Sequence, residues 1–182
     1  MSAKKFLLIA GGVDKKGIVY KLTKILKDYE FNIEDSSMVM LRRTFSIIML
    51  LTNKSNIDEK KFNNDICKFM NENQMMIDLK IISDKEMMQY RGEGNIYMIS
   101  ISGADKPGIV NKITEILFKN GVNIIDLETK SSEKVKPHAY YMHMEVDVPK
   151  KVNIKNLEKK LKDAGKKIGV FVNIYENEKE IL

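Results

Sequence analysis

The stretch Gly12-Val-Asp-Lys-Lys-Gly-Ile-Val-Tyr-Lys-Leu-Thr23 returns 91 residues later as Gly103-Ala-Asp-Lys-Pro-Gly-Ile-Val-Asn-Lys-Ile-Thr114. The likeness runs on through Ile25-Leu26 against Ile116-Leu117, and through Asn32, Ile33 and Asp35 against Asn123, Ile124 and Asp126. From Gly12 to Asp35, 13 of 24 positions are identical, where unrelated segments share about one or two. The chain of 182 residues is therefore a tandem duplication. Two copies of this size predict two small domains, because a solenoid needs about three or more shorter units.

Each copy carries the same order of elements. Phe6 to Ala10 and Ile96 to Ile101 are apolar, β-prone and followed by glycine, so they read as strands. A helix follows in each: Ile18, Leu22, Ile25, Leu26 and Tyr29 share one face, as do Ile109, Ile113, Ile116 and Leu117. Gly121 ends the second of these helices in a left-handed position, which Glu30 occupies in the first copy. Strands are expected over Ile33 to Leu41 and Thr44 to Thr52 around Arg42-Arg43, and over Ile124 to Thr129 and Ala139 to Val148 around a loop holding Ser131, Ser132 and Pro137. Phe62, Ile66, Phe69 and Met70 mark another helix, matched by Ile154, Leu157, Leu161 and Ala164 before Gly165. Met76 to Ile82 and Val170 to Tyr175 close the units. The expected fold is α+β, two ferredoxin-like βαββαβ domains, each a four-stranded antiparallel sheet with two helices on one face. Residues 1–84 form the first domain, 85–95 a linker around Gly92 and Gly94, and 96–182 the second.

Composition narrows the function. Apolar content of 43% without low-complexity tracts predicts folded domains. The apolar runs are strand-sized and far below the ~20 residues that cross a bilayer. The amino terminus reads as a first strand rather than a leader, and Cys67 has no second cysteine for a disulfide, so a cytoplasmic protein is expected. A net charge of +6 comes from lysines spread over the chain, such as Lys21, Lys24 and Lys27 opposite the apolar stripe of the first helix. Neither a basic face with aromatics nor a helix-turn-helix is visible, so direct nucleic-acid binding is not expected.

Two repeated features lie outside the core pattern. One is the turn between strand and helix, with Asp14, Gly17 and Ile18 in the first copy and Asp105, Gly108 and Ile109 in the second. A glycine there lets a ligand approach backbone amides that favour an anion, while the aspartate attracts an ammonium group. Together these suit a zwitterionic amino acid. The same residues also read as an Asp cap with a tight glycine turn and no ligand. The other feature is Asn32 and Asn123 just after the first helix, amides able to donate and accept, or to end a helix.

In this order and spacing, strand, Asp105-Lys-Pro107-Gly108-Ile109, amphipathic helix and Gly121-Val-Asn123-Ile124, the chain resembles the ACT domain, a regulatory ligand-binding module of amino-acid metabolism. Both halves resemble it, and a chain of two such domains resembles the glycine cleavage system transcriptional repressor family and its tandem-ACT relatives. The resemblance implies domains paired through their sheets, with an amino acid held between the glycine turn of one unit and the strand after the first helix of its neighbour. Matching positions are Asp105, Gly108, Ile109 and Asn123, and Asp14, Gly17, Ile18 and Asn32. Lys16 replaces Pro107, and Glu30-Phe31 replaces Gly121-Val122, so the motif is more complete in the second copy.

The third strand of the first copy is apolar on both faces, with Ser46, Ile48 and Leu50 opposite Ile47, Met49 and Leu51, so its outer face is expected to meet a second domain or subunit. Its counterpart has Tyr140, Met142, Met144 and Val146 inward and Tyr141, His143, Glu145 and Asp147 on a wetter side. His138, His143 and Glu145 raise a metal site, but two histidines without further clustered ligands favour a solvated strand face. Cys67 reads as a buried thiol, and the 12 methionines read as core filler more than as a binding surface. The expectation is a non-enzymatic protein without cofactor or metal, binding a small amino acid such as glycine and acting on a protein partner such as a transcription regulator. Homodimerisation or intrachain pairing of domains accompanies it. The alternatives are a ligand-independent dimerisation module, and an enzyme using His138, His143, Glu145 or Cys67.

Overall fold

The computed structural model describes residues 3–55, 57–88, 92, 94–132 and 139–176. The chain divides into two compact units, Met1–Gln89 and Tyr90–Leu182. The first contains β1 (Lys4–Val13), α1 (Ile18–Asp28), β2 (Asn32–Leu41), β3 (Thr44–Asn53), α2 (Glu59–Asn73) and β4 (Met75–Ile82). The second repeats the order as β5 (Gly94–Ala104), α3 (Ile109–Lys119), β6 (Asn123–Ser132), β7 (Ala139–Pro149), α4 (Ile154–Ile168) and β8 (Val170–Glu176). Both sheets are antiparallel, in the orders β2-β3-β1-β4 and β6-β7-β5-β8. The ferredoxin-like βαββαβ fold is thus present twice. Equivalent residues lie 91 apart through β2 and β6 and 95 apart from β3 and β7 onward, because the hairpin between them is two residues long in one copy and six in the other.

Strand alternation places the core on one face of each sheet. Phe6, Leu8 and Ala10 of β1 and Ile47, Met49 and Leu51 of β3 bury against Ile18, Leu22 and Leu26 of α1 and Phe62, Ile66 and Phe69 of α2. In the second unit Ile99, Ile101, Met142, Met144 and Val146 meet Ile113, Leu117, Leu157 and Leu161. Helices α2 and α4 start at side-chain caps: Asp58 accepts from the Lys61 amide and Asn153 from the Asn156 amide, each at 3.0 Å. Phe31 completes the first core by meeting Phe6 edge-on at 5.2 Å and packing beside Phe62.

Several residues depart from the sequence reading. α4 does not stop before Gly165 but continues to Ile168, ending at Gly169 with φ 79°. Gly165 is buried inside the helix, where a Cβ would come within 2.6 Å of Val172 Cγ2. Its role is close packing. Cys67 is exposed rather than buried, because Phe62, Ile66 and Phe69 set the inward face of α2 and the next residue turns away from it. Asp147, expected on the wet side of its strand, is only 4% exposed and accepts a hydrogen bond from the Gly94 amide at 2.9 Å. Gly94 is the first residue of β5, so close to β7 that a Cβ would overlap the Val148 carbonyl. Pro137 and His138 lie outside the described residues.

Candidate functional site

The repeated turns have the same backbone in both units. Gly17 (φ 81°) and Gly108 (φ 91°) adopt the left-handed conformation immediately before α1 and α3. Neither helix has a side-chain cap at that position, so Asp14 and Asp105 are not helix caps. A Cβ added to either glycine meets no protein atom within 4 Å; the glycines are required by backbone conformation and open onto free space. The first-turn amides beyond them lack intrahelical acceptors by helix geometry, which gives this end a partial positive charge.

The aspartates differ between copies. Ser131 Oγ donates to Asp105 Oδ2 at 2.7 Å, anchoring the carboxylate over the end of β6. Met40 stands where Ser131 stands and brings Asp14 no hydroxyl. Asp105 also bears on buried Tyr140, whose phenol is pushed up by burial first and by the aspartate charge second. Ile18 and Ile109 are 3% and 2% exposed, with side chains in the core, leaving only their backbones to a ligand.

The lysine shared by both motifs has a role the sequence reading missed. Lys15 Nζ donates to the Asn73 carbonyl at 3.0 Å, and Lys106 Nζ to the Ile168 carbonyl at 3.4 Å. Asn73 and Ile168 are the last residues of α2 and α4, so each lysine caps a helix C-terminus and complements its dipole. Its repetition at the same motif position was the available signal.

Within either unit the two halves of the expected site are far apart. Asn32 pairs with Thr52, which pairs with Lys5, whereas Asp14 follows the Val13–Thr44 pair at the other end of the sheet. Nine strand residues at 3.3 Å make that separation about 30 Å. Asn123, level with Asp147 and Ile96, stands equally far from Asp105. One unit therefore cannot close the site alone. Asn32 instead lines a polar recess with Glu30, Glu34, Thr52, Lys54 and Ser55. There Glu34 accepts from Thr52 at 2.7 Å and from Asn32 at 2.8 Å, and these bonds hold its carboxyl below the usual range.

The asparagines open β2 and β6, which are edge strands. All ten residues of β2 are exposed, as are eight of the ten of β6. Both strands carry a register shift just after the asparagine, at Ile33/Asp35 and Ile124/Asp126. Ser131, at the far end of β6 from Asn123, is the residue that holds Asp105.

His143 and Glu145 lie on one face of β7, with Glu128 opposite His143 on β6. Lys130, 2.9 Å away, holds the Glu128 carboxyl below its usual range, first by hydrogen bond and then by charge, with a smaller contribution from His143. Among the described residues no group of three or more His, Cys, Asp or Glu side chains is placed to hold a metal.

The ACT domain family model matches residues 4–80 and 95–175. The glycine cleavage system transcriptional repressor of Escherichia coli is 24% identical over 167 residues, covering 89% of this chain and 85% of the relative. A UPF0237 protein of Pyrobaculum aerophilum is 39% identical over 79 residues, 43% of this chain and 83% of its own. The solved structure of an unknown protein from Galdieria sulphuraria aligns over 97% of this chain and all of its own with a TM-score of 0.77, at 23% identity. The chain belongs to the ACT domain family as a tandem pair, homologous over most of its length to the glycine cleavage system transcriptional repressor.

Proposed function

We propose that this protein is a non-enzymatic, amino-acid-responsive regulator whose second unit carries the working ligand site. The observation that carries the reading is the division of the site, with Asp105 and the open Gly108 turn about 30 Å from Asn123 on an exposed edge strand. In the assembled site the α3 amides after Gly108 receive the carboxylate of a small amino acid such as glycine, Asp105 receives its ammonium group, and Asn123 of a neighbouring ACT unit closes the pocket. Gly17, Ile18, Asp14 and Asn32 are the weaker counterpart, with Lys16 at the position of Pro107 and Met40 at that of Ser131. Binding joins two units, so the ligand favours the paired arrangement by its differential affinity for it. A protein partner that senses the pairing, such as a transcription regulator, receives the signal.

Thermal unfolding against a panel of single amino acids tests this. A ligand at 100 times its Kd adds about 2.7 kcal/mol, which raises the midpoint of a domain of this size by about 10 °C or more. Gly108→Ala, which places a methyl group where the ligand approaches and strains the left-handed turn at φ 91°, should abolish the shift. If no amino acid moves the transition, the protein is a ligand-independent pairing module and the proposal fails.

A further inference from the structure

The outer faces of the two sheets, the faces turned away from the helices, can be compared row by row because the units are duplicates. In the first unit the rows across β4, β1, β3 and β2 are Lys80-Leu7-Leu50-Asp35, Asp78-Ile9-Ile48-Ser37 and Met76-Gly11-Ser46-Val39. The same rows across β8, β5, β7 and β6 read Tyr175-Met98-Glu145-Asp126, Asn173-Ser100-His143-Glu128 and Phe171-Ser102-Tyr141-Lys130. One fold is therefore built with a polar centre, Ser100 and His143, and with an apolar one, Ile9 and Ile48. The fold does not need the apolar version. Ile9 is 42% exposed, Ile48 46%, Val39 62% and Met76 75%, so these side chains await a covering surface.

We infer that the outer face of the first unit's sheet docks face to face on the same face of a second copy of this chain, about a two-fold axis running parallel to the strands between β1 and β3. The rows themselves select that occupant. Such an axis keeps each row level and reverses its order, so Lys80 meets Asp35 of the second copy, Leu7 meets Leu50, Ile9 meets Ile48, and Met76 meets Val39. Every charge in the first row finds its opposite, and the apolar centre closes on itself, as an isologous interface requires. Lys80 reaches Glu86 of its own copy at 3.7 Å with both side chains exposed, a contact that leaves it able to serve Asp35 as well. Asp35, Ser36, Ser37, Ile48 and Leu50 line a recess of about 220 Å³, over which the axis sets Leu7 and Ile9 of the second copy. A surface composed like the second unit's would also set an aspartate, Asp126, against Lys80, but it would place Glu145 against Leu7, Glu128 against Asp78 and Ser100 against Ile48, so the apolar centre is what selects the second copy. Four strands 4.8 Å apart and about eight residues long give about 500 Å² per copy, or about 1,000 Å² in all, at the lower limit for a specific interface. The contact is therefore a dissociable one.

Thiol crosslinking tests the pairing in the full chain. In a Cys67→Ser background, Met76→Cys and Val39→Cys sit on opposite edges of one sheet, about 14 Å apart, whereas sheets packed face to face stand about 10 Å apart, so a short bismaleimide that spans about 10 Å but not about 14 Å can join them only between two copies. The double variant should form a covalent dimer with this reagent while each single variant stays largely unlinked. Sedimentation velocity gives the second readout. Ile48→Glu should lower association at least tenfold, and Asp35→Lys and Lys80→Asp should each weaken it, with the double swap restoring it. These side chains are exposed, so far-UV circular dichroism should not change. A wild-type chain that does not self-associate overturns the inference, as does unchanged association in Ile48→Glu. Trapping through Val39→Cys alone assigns association to the β2 edge and also overturns it.

Discussion

Gly165→Ala separates a packing glycine from a merely permissive one. In the interior of a helix, alanine gains about 0.8–1.0 kcal/mol over glycine. At this position, however, the new methyl group stands 2.6 Å from Val172 Cγ2 and 2.9 Å from the Val170 carbonyl oxygen. An ordinary carbon contact is about 3.5–4.0 Å, so α4 must lift about 1 Å off β8 or Val172 must leave its rotamer. Overpacking of that size costs about 1–3 kcal/mol. The balance is a loss of about 1 kcal/mol, which lowers the melting midpoint of the second unit by about 4–8 °C. Urea unfolding of the full chain measures the loss, and the Val172→Ala background supplies the control. Removing the Val172 methyl groups relieves the closest contact, so the second substitution should cost less there, with a coupling of about 0.5 kcal/mol or more. A gain of about 1 kcal/mol in Gly165→Ala, with no coupling, would refute the packing argument.

Asn153→Ala and Asp58→Ala should each lose about 1 kcal/mol in urea unfolding, since each removes the acceptor for a first-turn amide. Lys106→Met should lose about 0.3–1 kcal/mol at low salt by freeing the α4 terminus, and the loss should shrink in high salt. Glu115 is held down to about 2, first by its hydrogen bond to Lys112 and then by that to Lys119. Its folded pKa lies below the ordinary 4.5, so its contribution is present above pH 4.5 and is lost as pH falls toward 2. A urea-midpoint series from pH 6 to pH 2 should show a smaller decline in Glu115→Gln than in the wild type.

The fold was legible because duplication doubled each signal. Thirteen identities in 24 positions bound the two halves to one architecture, and the alternation of Tyr140, Met142, Met144 and Val146 placed the core face of β7 correctly. Periodicity names a face but not the distance to a neighbouring backbone. Gly165 and Gly94 therefore read as a helix stop and a linker, although each is needed where another strand comes close. Asp147 alternates with polar neighbours and still sinks, because the Gly94 amide supplies its partner from a segment that periodicity does not connect to it. In the candidate site the residue types were legible and their separation was not. Asp105 and Asn123 are 18 positions apart in the chain, and only the strand register places them at opposite ends of the sheet. The apolar outer face of β3 was visible in Ile48 and Leu50, but its opposed charges, Asp35 and Lys80, belong to different edges that the register alone aligns.

The division of the ligand site is the central claim, and titration calorimetry tests it with three proteins: the wild type, Asp105→Asn and Asn123→Ala. Each protein is titrated with the amino acid that gives the largest thermal shift. Both altered residues are exposed, so neither substitution disturbs a core. The account predicts that the wild type binds and that each variant loses about tenfold or more in affinity, the effect of removing one polar contact worth about 1.5 kcal/mol or more. Loss in Asp105→Asn with undiminished binding in Asn123→Ala would contradict a site shared between units.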